Sequence, residues 1–376
     1  MIQPAAAPRR PRVAVVFGGR SSEHAISCVS AGSVLGAIDR TVYDVVPVGI
    51  TPEGRWVLEA DDPGRLVITA GRLPEVDPAG PGVVLAGDPT GRGLVVSEPG
   101  QVPRVLGAVD VVFPLLHGPY GEDGTLQGLL ELAGVPYVGS GVLASALAMD
   151  KAAMKVMLRS AGLPVGPYVV VNDRDWLTDP EGVLAEIRSG LLLPVFVKPA
   201  RAGSSVGIGM VKDWADLPDA VEVARRHDAK VVVEQGVEGR EIECGVLETV
   251  DGRDVEASVC AEIRVRGDHE FYDFAAKYLD DATQLDVPAD IPPAVQDQVR
   301  RLACAAFRAL DCEGFARVDF FLQPDGALVV NEVNTIPGFT PVSMFPRMWA
   351  ESGVTYPELV DRLIRSALGK RPGLLR

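Results

Sequence analysis

The amino-acid sequence predicts a parallel α/β unit followed by an α+β half built from two sub-domains. Three observations carry that prediction. Short continuous apolar runs near the N-terminus (Val13–Phe17, Tyr43–Ile50 and Val109–Leu116) alternate with helical patterns, as in a parallel sheet with helices on both faces. Beyond Glu234 the pattern changes to long strands in direct succession, Glu241–Thr249 and Asp254–Ile263, with antiparallel character. A chain of 376 residues, 47% hydrophobic and 23% charged, also has room for two or three cores without disulfide or metal staples.

Val13–Phe17 reads as a buried strand, Gly18-Gly19-Arg20-Ser21 as a turn, and Ser22–Ile38 as a helix with Glu23 in its first turn. After the strand Tyr43–Ile50, the Gly/Pro-rich stretch from Thr51 to Arg104 holds short apolar runs at Arg65–Thr69, Gly82–Leu85 and Leu94–Val96. These are expected to be small strands and loops without chemistry. Val109–Leu116 leads into His117-Gly-Pro-Tyr-Gly-Glu-Asp-Gly124 and a helix, Thr125–Ala133. One helix is expected over Ser145–Ser160. Strands follow at Pro167–Val171, Leu191–Lys198, Val206–Val211 and Lys230–Glu234, around a helix at Leu217–Arg226. A helix over Pro293–Leu310 then precedes a strand pair. The expected divisions are a disordered tail (1–12), an N-terminal α/β unit (13–139), and two sub-domains (140–233 and 234–376).

The formal net charge of −15 argues against nucleic acid or an anionic membrane as the main partner. Five cysteines, Cys28, Cys244, Cys260, Cys304 and Cys312, form no CxxC pair and read as reduced thiols in a cytosolic protein. No signal-peptide h-region is present, and no apolar stretch approaches the ~20 residues that span a bilayer. A cytoplasmic location is expected.

The strongest local signal runs from Gly314 to Asn334. Pro324-Asp325-Gly326 marks a hairpin turn; pairing Gln323 with Leu328 sets Asp319 opposite Glu332 and Arg317 opposite Asn334. Alternation then puts all four polar side chains on one face and Val318, Phe320, Leu322, Val329 and Val333 on the other, with Asn331 as the misfit. Two carboxylates about 5 Å apart repel by roughly 3 kcal/mol at an effective dielectric of 20. A cation relieves that repulsion, and an all-oxygen set of Asp, Glu and Asn suits Mg²⁺ rather than zinc. The alternative is a solvated strand face in which Arg317 merely neutralises the pair.

A second signal is a strand ending at Lys198, followed by a Gly/Ser loop through Gly203, Ser204, Ser205, Gly207 and Gly209. Its amides and hydroxyls suit an anion. No GxxxxGK[ST] is present, so the choice lies between a Gly-rich lid over phosphates and a plain flexible hairpin. Gly139-Ser-Gly-Val-Leu-Ala144 loosely resembles a dinucleotide fingerprint, but no strand with a terminal acid follows at the expected distance, and NAD is set aside. Lys277-Tyr278 alone could be an exposed loop with aromatic anchors. Glu23 could simply favour a helix dipole, and His117 could be a hydrogen-bonded structural histidine.

Taken in order, Gly18-Gly-x-Ser-x-Glu23, His117-Gly-x-x-Gly-Glu-Asp-Gly124, Gly139-Ser-Gly…Met149-Asp-Lys151, Val197-Lys198-Pro…Gly203-Ser-Ser-Val, Tyr272-Asp-Phe-Ala-Ala-Lys-Tyr278, Arg317-Val-Asp319 and Asn331-Glu-Val-Asn334-Thr-Ile-Pro-Gly338 resemble the D-alanine–D-alanine ligase family of the ATP-grasp superfamily. The resemblance runs from about Val13 to the C-terminal helix. It implies a three-domain ATP-grasp architecture with an N-terminal, Rossmann-like parallel α/β domain, and a homodimer. The substrates implied are ATP and D-alanine, with two Mg²⁺ ions, for which Mn²⁺ can stand in.

Carried over residue by residue, the resemblance implies that Lys151 and Lys198 bind the ATP phosphates under the Gly203–Gly209 loop. Glu234, Val237 and Glu241 would hold adenine and ribose, with Ser205 and Phe271 also at the ATP site. Asp319, Glu332 and Asn334 would be the metal ligands. Arg317 and the Gly338 N–H would form an oxyanion hole. Glu23 would hold the first substrate's ammonium near His117, and Glu23, Ser204 and Tyr278 would form a hydrogen-bonded triad. Lys277 and Ser343 would take the second substrate's carboxylate, with Met344 standing where many relatives carry leucine. Lys277-Tyr278 favours D-alanine over D-lactate as second substrate. Competing readings are an ATP-grasp ligase with another substrate pair, and a nucleotide-binding protein without catalysis.

Overall fold

The computed structural model describes residues 9–69, 72–91, 93–98, 100–203, 206–265 and 283–370. Three sheets organise them. The first begins with β1 (Arg12–Gly18), α1 (His24–Ala37) and β2 (Asp44–Ile50). It continues with β3 (Trp56–Leu58), β4 (Gly82–Leu85), β5 (Gly93–Ser97), β6 (Arg104–Ala108) and β7 (Val111–Pro114), followed by α2 (Thr125–Leu132). The strand order is β6-β5-β4-β3-β2-β1-β7. The expected parallel core is present, because β1 pairs in parallel with both β2 and β7. It is extended by antiparallel pairs from β2 to β6, so the whole sheet is mixed.

That extension is the Gly/Pro-rich stretch, and the apolar runs at 82–85 and 94–96 lie in β4 and β5. The run at 65–69 is no strand: Pro63–Leu66 is a 3₁₀ turn whose preceding Asp62 carboxylate accepts from the Gly64 N–H at 3.1 Å. Strand β6 had no sequence signal because its side chains are exposed or half-buried throughout.

Next come α3 (Val142–Met149) and α4 (Lys151–Ser160), where one helix was expected. Asp150 breaks the run: it has extended backbone, and its carboxylate accepts from the Ala152 and Ala153 N–H groups at 3.1 Å each. An Asp N-cap inside a continuous apolar pattern is easily read through, yet it sets Lys151 at the first position of a new helix.

The second sheet, in the order β10-β9-β11-β8, comprises β8 (Tyr168–Asn172), β9 (Val195–Pro199), β10 (Gly209–Val211) and β11 (Lys230–Gln235). It is covered by α5 (Asp173–Thr178), α6 (Pro180–Gly190) and α7 (Leu217–Arg225). The third sheet, in the order β14-β13-β12-β15-β16, comprises β12 (Arg240–Glu248), β13 (Val255–Val265), β14 (Thr283–Asp286), β15 (Phe315–Leu322) and β16 (Leu328–Asn334). Helices α8 (Pro293–Ala309), α9 (Met344–Glu351) and α10 (Tyr356–Gly369) complete the chain. Among the described residues, no helix is long and apolar enough to cross a membrane.

The first and third sheets share one core. Val13, Phe17 and Phe113 pack with Phe315, Phe339, Phe345, Leu359 and Ile364. Phe339 is the hub, with ring centroids 5.9 Å from Phe113, 5.4 Å from Phe315 and 5.8 Å from Tyr356. The Tyr356 hydroxyl donates to the Phe339 carbonyl at 2.7 Å, so the loop carrying Phe339 is pinned by both packing and a hydrogen bond. Phe339→Ala is expected to cost about 3–5 kcal/mol of unfolding free energy, as for other fully buried phenylalanines; urea titration measures it.

Candidate active site

Two cavities meet in the cleft between the sheets. One, about 330 Å³, is lined by Lys151, Lys155, Lys198, Glu234, Val237, Glu241, Asp319 and Glu332. The other, about 370 Å³, opens toward the first sheet and is lined by Glu23, His117, Gly203, Asn334, Gly338, Ser343 and Met344. Lys151, Glu243, Arg317 and Glu332 line both and form their common wall.

The hairpin supplies most of that wall. Asp319 pairs with Glu332 and Arg317 with Asn334, as the turn chemistry predicts, but Leu322, not Gln323, pairs with Leu328. A bulge at Asn331 absorbs the one-residue difference. It also reverses the alternation: Leu328 and Val330 are buried, while Val329, expected in the core, lines the cleft with Asn331 and Glu332. The residue that fitted no face is therefore the bulged one.

The Arg317 Nε and Nη2 each donate to an Asp319 carboxylate oxygen at 2.7 Å, and Nε lies 3.1 Å from Glu243 Oε1. Burial alone would lower the Arg317 pKa, but Asp319 and Glu243 hold it well above its ordinary value. The Asn334 amide donates to Asp319 at 3.0 Å. Among the described residues, no cluster of three or more His, Cys, Asp or Glu is placed to hold a metal ion.

In the cavity of about 330 Å³, two ammoniums share one carboxylate. Lys198 Nζ lies 2.9 Å from Glu234 Oε2 and Lys155 Nζ lies 3.2 Å from Oε1. Burial works to raise the Glu234 pKa, yet Lys198 and Lys155 hold it down to about 2. Lys151 donates to the Ala202 carbonyl at 2.8 Å, and burial lowers its pKa despite the opposing field of Glu332.

In the other cavity, Glu23 stands one residue before α1, not within its first turn, and makes no side-chain cap. Its carboxylate instead faces two glycines: a Cβ at Gly118 or at Gly203 would lie 2.7 Å from Glu23 Oε2. Two separate loops thus approach one carboxylate only because they lack side chains. Buried His117 places Nδ1 2.9 Å from the Ile336 carbonyl and Nε2 3.0 Å from the Ser30 hydroxyl. A carbonyl only accepts, so Nδ1 carries the proton; burial lowers the pKa and keeps the ring neutral.

Glu122 grips the other backbone group of the same residue, accepting from the Ile336 N–H at 3.1 Å and from the Gly118 N–H at 2.6 Å. The segment leading to Gly338 is therefore held at both polar groups of residue 336. Ser343 immediately precedes α9, its hydroxyl 2.8 Å from that of Thr340 and its Oγ accepting from the Thr340 N–H at 3.2 Å. Met344 is the first residue of α9 and packs on Ala261 and Ile263.

Of the residues singled out in the sequence, Ser204, Ser205, Phe271, Lys277 and Tyr278 lie outside the described residues. The other proposed site residues line one or both cavities, whereas Gly207 and Gly209 of the Gly/Ser loop line neither. Sequence reasoning missed Lys155, Glu243 and Glu122. Lys155 is one helical turn beyond Lys151, and Glu243 is two residues beyond Glu241 on one strand, so spacing alone could have found both. Gly314 is a packing position, where a Cβ would lie 3.0 Å from the Gly139 backbone.

A mixed α/β sheet followed by two antiparallel sheets around a cleft with facing lysines and carboxylates defines the three-domain ATP-grasp class. Residues 12–140 match the model of the D-ala D-ala ligase N-terminus, and residues 157–365 that of the D-ala D-ala ligase C-terminus. The chain belongs to the D-alanine–D-alanine ligase family. It is 59% identical over 378 residues to the D-alanine–D-alanine ligase of Streptomyces griseus subsp. griseus, covering 99% of this chain and 96% of that one. It is 60% identical over 372 residues to a D-alanine–D-alanine ligase of Mycobacterium sp., covering 97% and 98%. Among solved structures it resembles the VanG D-Ala:D-Ser ligase from Enterococcus faecalis, with TM-score 0.82, 35% identity and coverage of 95% and 99%. The D-alanine–D-alanine ligase from Coxiella burnetii gives TM-score 0.79 at 34% identity, covering 96% and 94%.

Burial, with the nearby Glu23 charge, raises the Glu122 pKa from 4.5 to about 8. The folded state thus retains a proton that the unfolded state releases, and stability from this group is lost as pH rises from about 4.5 through about 8. Glu122→Gln is expected to gain stability relative to the parent chain over that window in urea titrations at pH 5 to 8. A constant difference across the window would contradict the assignment.

Proposed function

We infer that this chain ligates two D-alanine molecules to D-alanyl-D-alanine at the expense of ATP, releasing ADP and phosphate, for peptidoglycan precursor synthesis. Family membership along nearly the whole chain supports the activity. The observation that carries the mechanism is the common wall of the two cavities at Lys151, Arg317 and Glu332, where a phosphoryl donor and an amino acid would meet.

The first D-alanine lies with its ammonium at Glu23, near neutral His117. Its carboxylate oxygen attacks the γ-phosphorus of ATP, forming an acyl-phosphate as the bond to ADP breaks. Lys151 and Lys198 neutralise the phosphates, and Glu234, Val237 and Glu241 hold adenine and ribose. The neutral amine of the second D-alanine then attacks the acyl carbon. Arg317, its guanidinium plane fixed by Asp319 and Glu243, stabilises the developing oxyanion together with the Gly338 N–H. The carbonyl re-forms, the C–O bond to phosphate breaks, and the amine loses its proton.

Ser343 and Lys277 take the second substrate's carboxylate beside Met344. Lys277-Tyr278 favours an amine over a hydroxyl nucleophile, and Glu23, Ser204 and Tyr278 order the substrates and the lid; Ser205 and Phe271 complete the ATP site. The side chains of Asp319, Glu332 and Asn334 would hold Mg²⁺, or Mn²⁺ in its place: the first two are cross-strand neighbours, and the Asn334 amide nitrogen lies 3.0 Å from Asp319, which brings its carboxamide to the pair. When bound, Mg²⁺ offsets phosphate charge. A cytoplasmic location and a homodimeric assembly accompany this reading on family resemblance.

Incubation with ATP, Mg²⁺ and D-alanine is expected to release phosphate and dipeptide in equal amounts; phosphate without dipeptide would sink the ligase reading. EDTA should stop both products and added Mg²⁺ restore them. Glu332→Gln is expected to lower kcat by at least about 100-fold while leaving the circular dichroism spectrum unchanged. Unaltered turnover in that variant would remove the metal assignment.

A further inference from the structure

Lys155 is an ammonium buried to 3% exposure on α4, and the mechanism above gives it no task. Buried ion pairs seldom stabilise a fold better than apolar packing does, so one that lines a ligand cavity calls for another explanation. The Glu234 carboxylate lies between two cations, one on each oxygen: Lys155 on Oε1 and Lys198 on Oε2. Lys198 is the penultimate residue of β9, shortly before the Gly-rich loop and on the route to the phosphates, whereas Lys155 is one helical turn deeper than Lys151.

We propose that Lys155 sets the purine specificity of the nucleotide cavity by keeping Glu234 an obligate hydrogen-bond acceptor. This rests on reading the cavity as the ATP site. An ionised carboxylate accepts from the exocyclic amine of adenine and repels the C6 carbonyl of hypoxanthine or guanine. A protonated carboxyl donates, and the preference reverses. Once Lys198 engages the phosphates, Lys155 is the cation that remains on Glu234. Without it, burial raises the carboxyl's pKa, and Glu234 begins to carry a proton. The other groups facing this site are Lys151 from α4, Tyr168 from β8 with Arg159 stacked 4.8 Å from its ring centroid, Glu241 from β12 and Glu332 from β16. The two carboxylates among them push Glu234 further toward protonation. Lys155 is thus a positioning residue that acts through Glu234.

The test compares ATP with ITP, which carries a carbonyl where adenine carries the amine, in the full-length enzyme with Mg²⁺ and D-alanine. The parent enzyme should prefer ATP by at least about 100-fold in kcat/KM, with a ratio constant from pH 6 to 9. Lys155→Met and Lys155→Gln should each cut that ratio by about 10-fold or more, through a raised KM for ATP rather than a lowered kcat. In both variants KM for ATP should fall back as pH rises and Glu234 ionises again. Lys155→Arg, which keeps the cation, should retain the preference. A parent ratio near one or one that titrates between pH 6 and 9, or neutral variants that lose ATP and ITP turnover by equal factors, would overturn the proposal. A parent enzyme that makes no dipeptide with any nucleotide would instead refute the ligase reading, so the two failures are distinguishable.

Discussion

The site depends on one buried guanidinium. Arg317 lies between Asp319 on its own strand and Glu243 on the next, and it lines both cavities. Each of those carboxylates, buried without a cation, would cost several kcal/mol, and so would the guanidinium without them. The three charges are therefore admissible only together, which demands that β12 and β15 keep one register. The bulge at Asn331 is the local adjustment that lets the apolar end of the hairpin stay in the core while its polar end turns to the cleft. One arginine thus links strand register and cavity shape.

The electrostatics resolve an apparent conflict. A chain with net charge −15 binds a polyanion because Lys151, Lys155, Lys198 and Arg317 converge in one partly enclosed cleft. The net negative charge discourages other polyanions, while the cleft concentrates the field of its own cations. Glu234, Glu243 and Asp319 keep that concentration of cations tolerable in the absence of ligand, and each fixes a side chain at a set place.

Much of this was legible in the sequence, for identifiable reasons. The hairpin register followed from Pro324-Asp325-Gly326, since turn chemistry sets pairing and period-two alternation sets faces. It erred near the turn, because alternation cannot say where an extra residue will be absorbed. The parallel core was legible from β1, β2 and β7, whose buried residues are contiguous. Strand β6 was not, because an exposed strand with a glycine carries no hydrophobic rhythm. The break at Asp150 was hidden by apolar periodicity on both sides. Lys155 and Glu243 escaped because a charged residue reads as surface until its partner is known, although their spacing from Lys151 and Glu241 put each on a shared face.

The shared core has a consequence for how the chain comes to be folded. The face of the first sheet that packs on Phe315, Phe339, Phe345 and Leu359 is made by residues synthesised early, and its cover by residues synthesised last. During translation at roughly 5–20 residues per second, that face waits uncovered for roughly ten seconds or more. Chaperone capture or association with other nascent chains competes with folding for that interval. The hub that ties the molecule together is thus also what makes its first third dependent on its final helices.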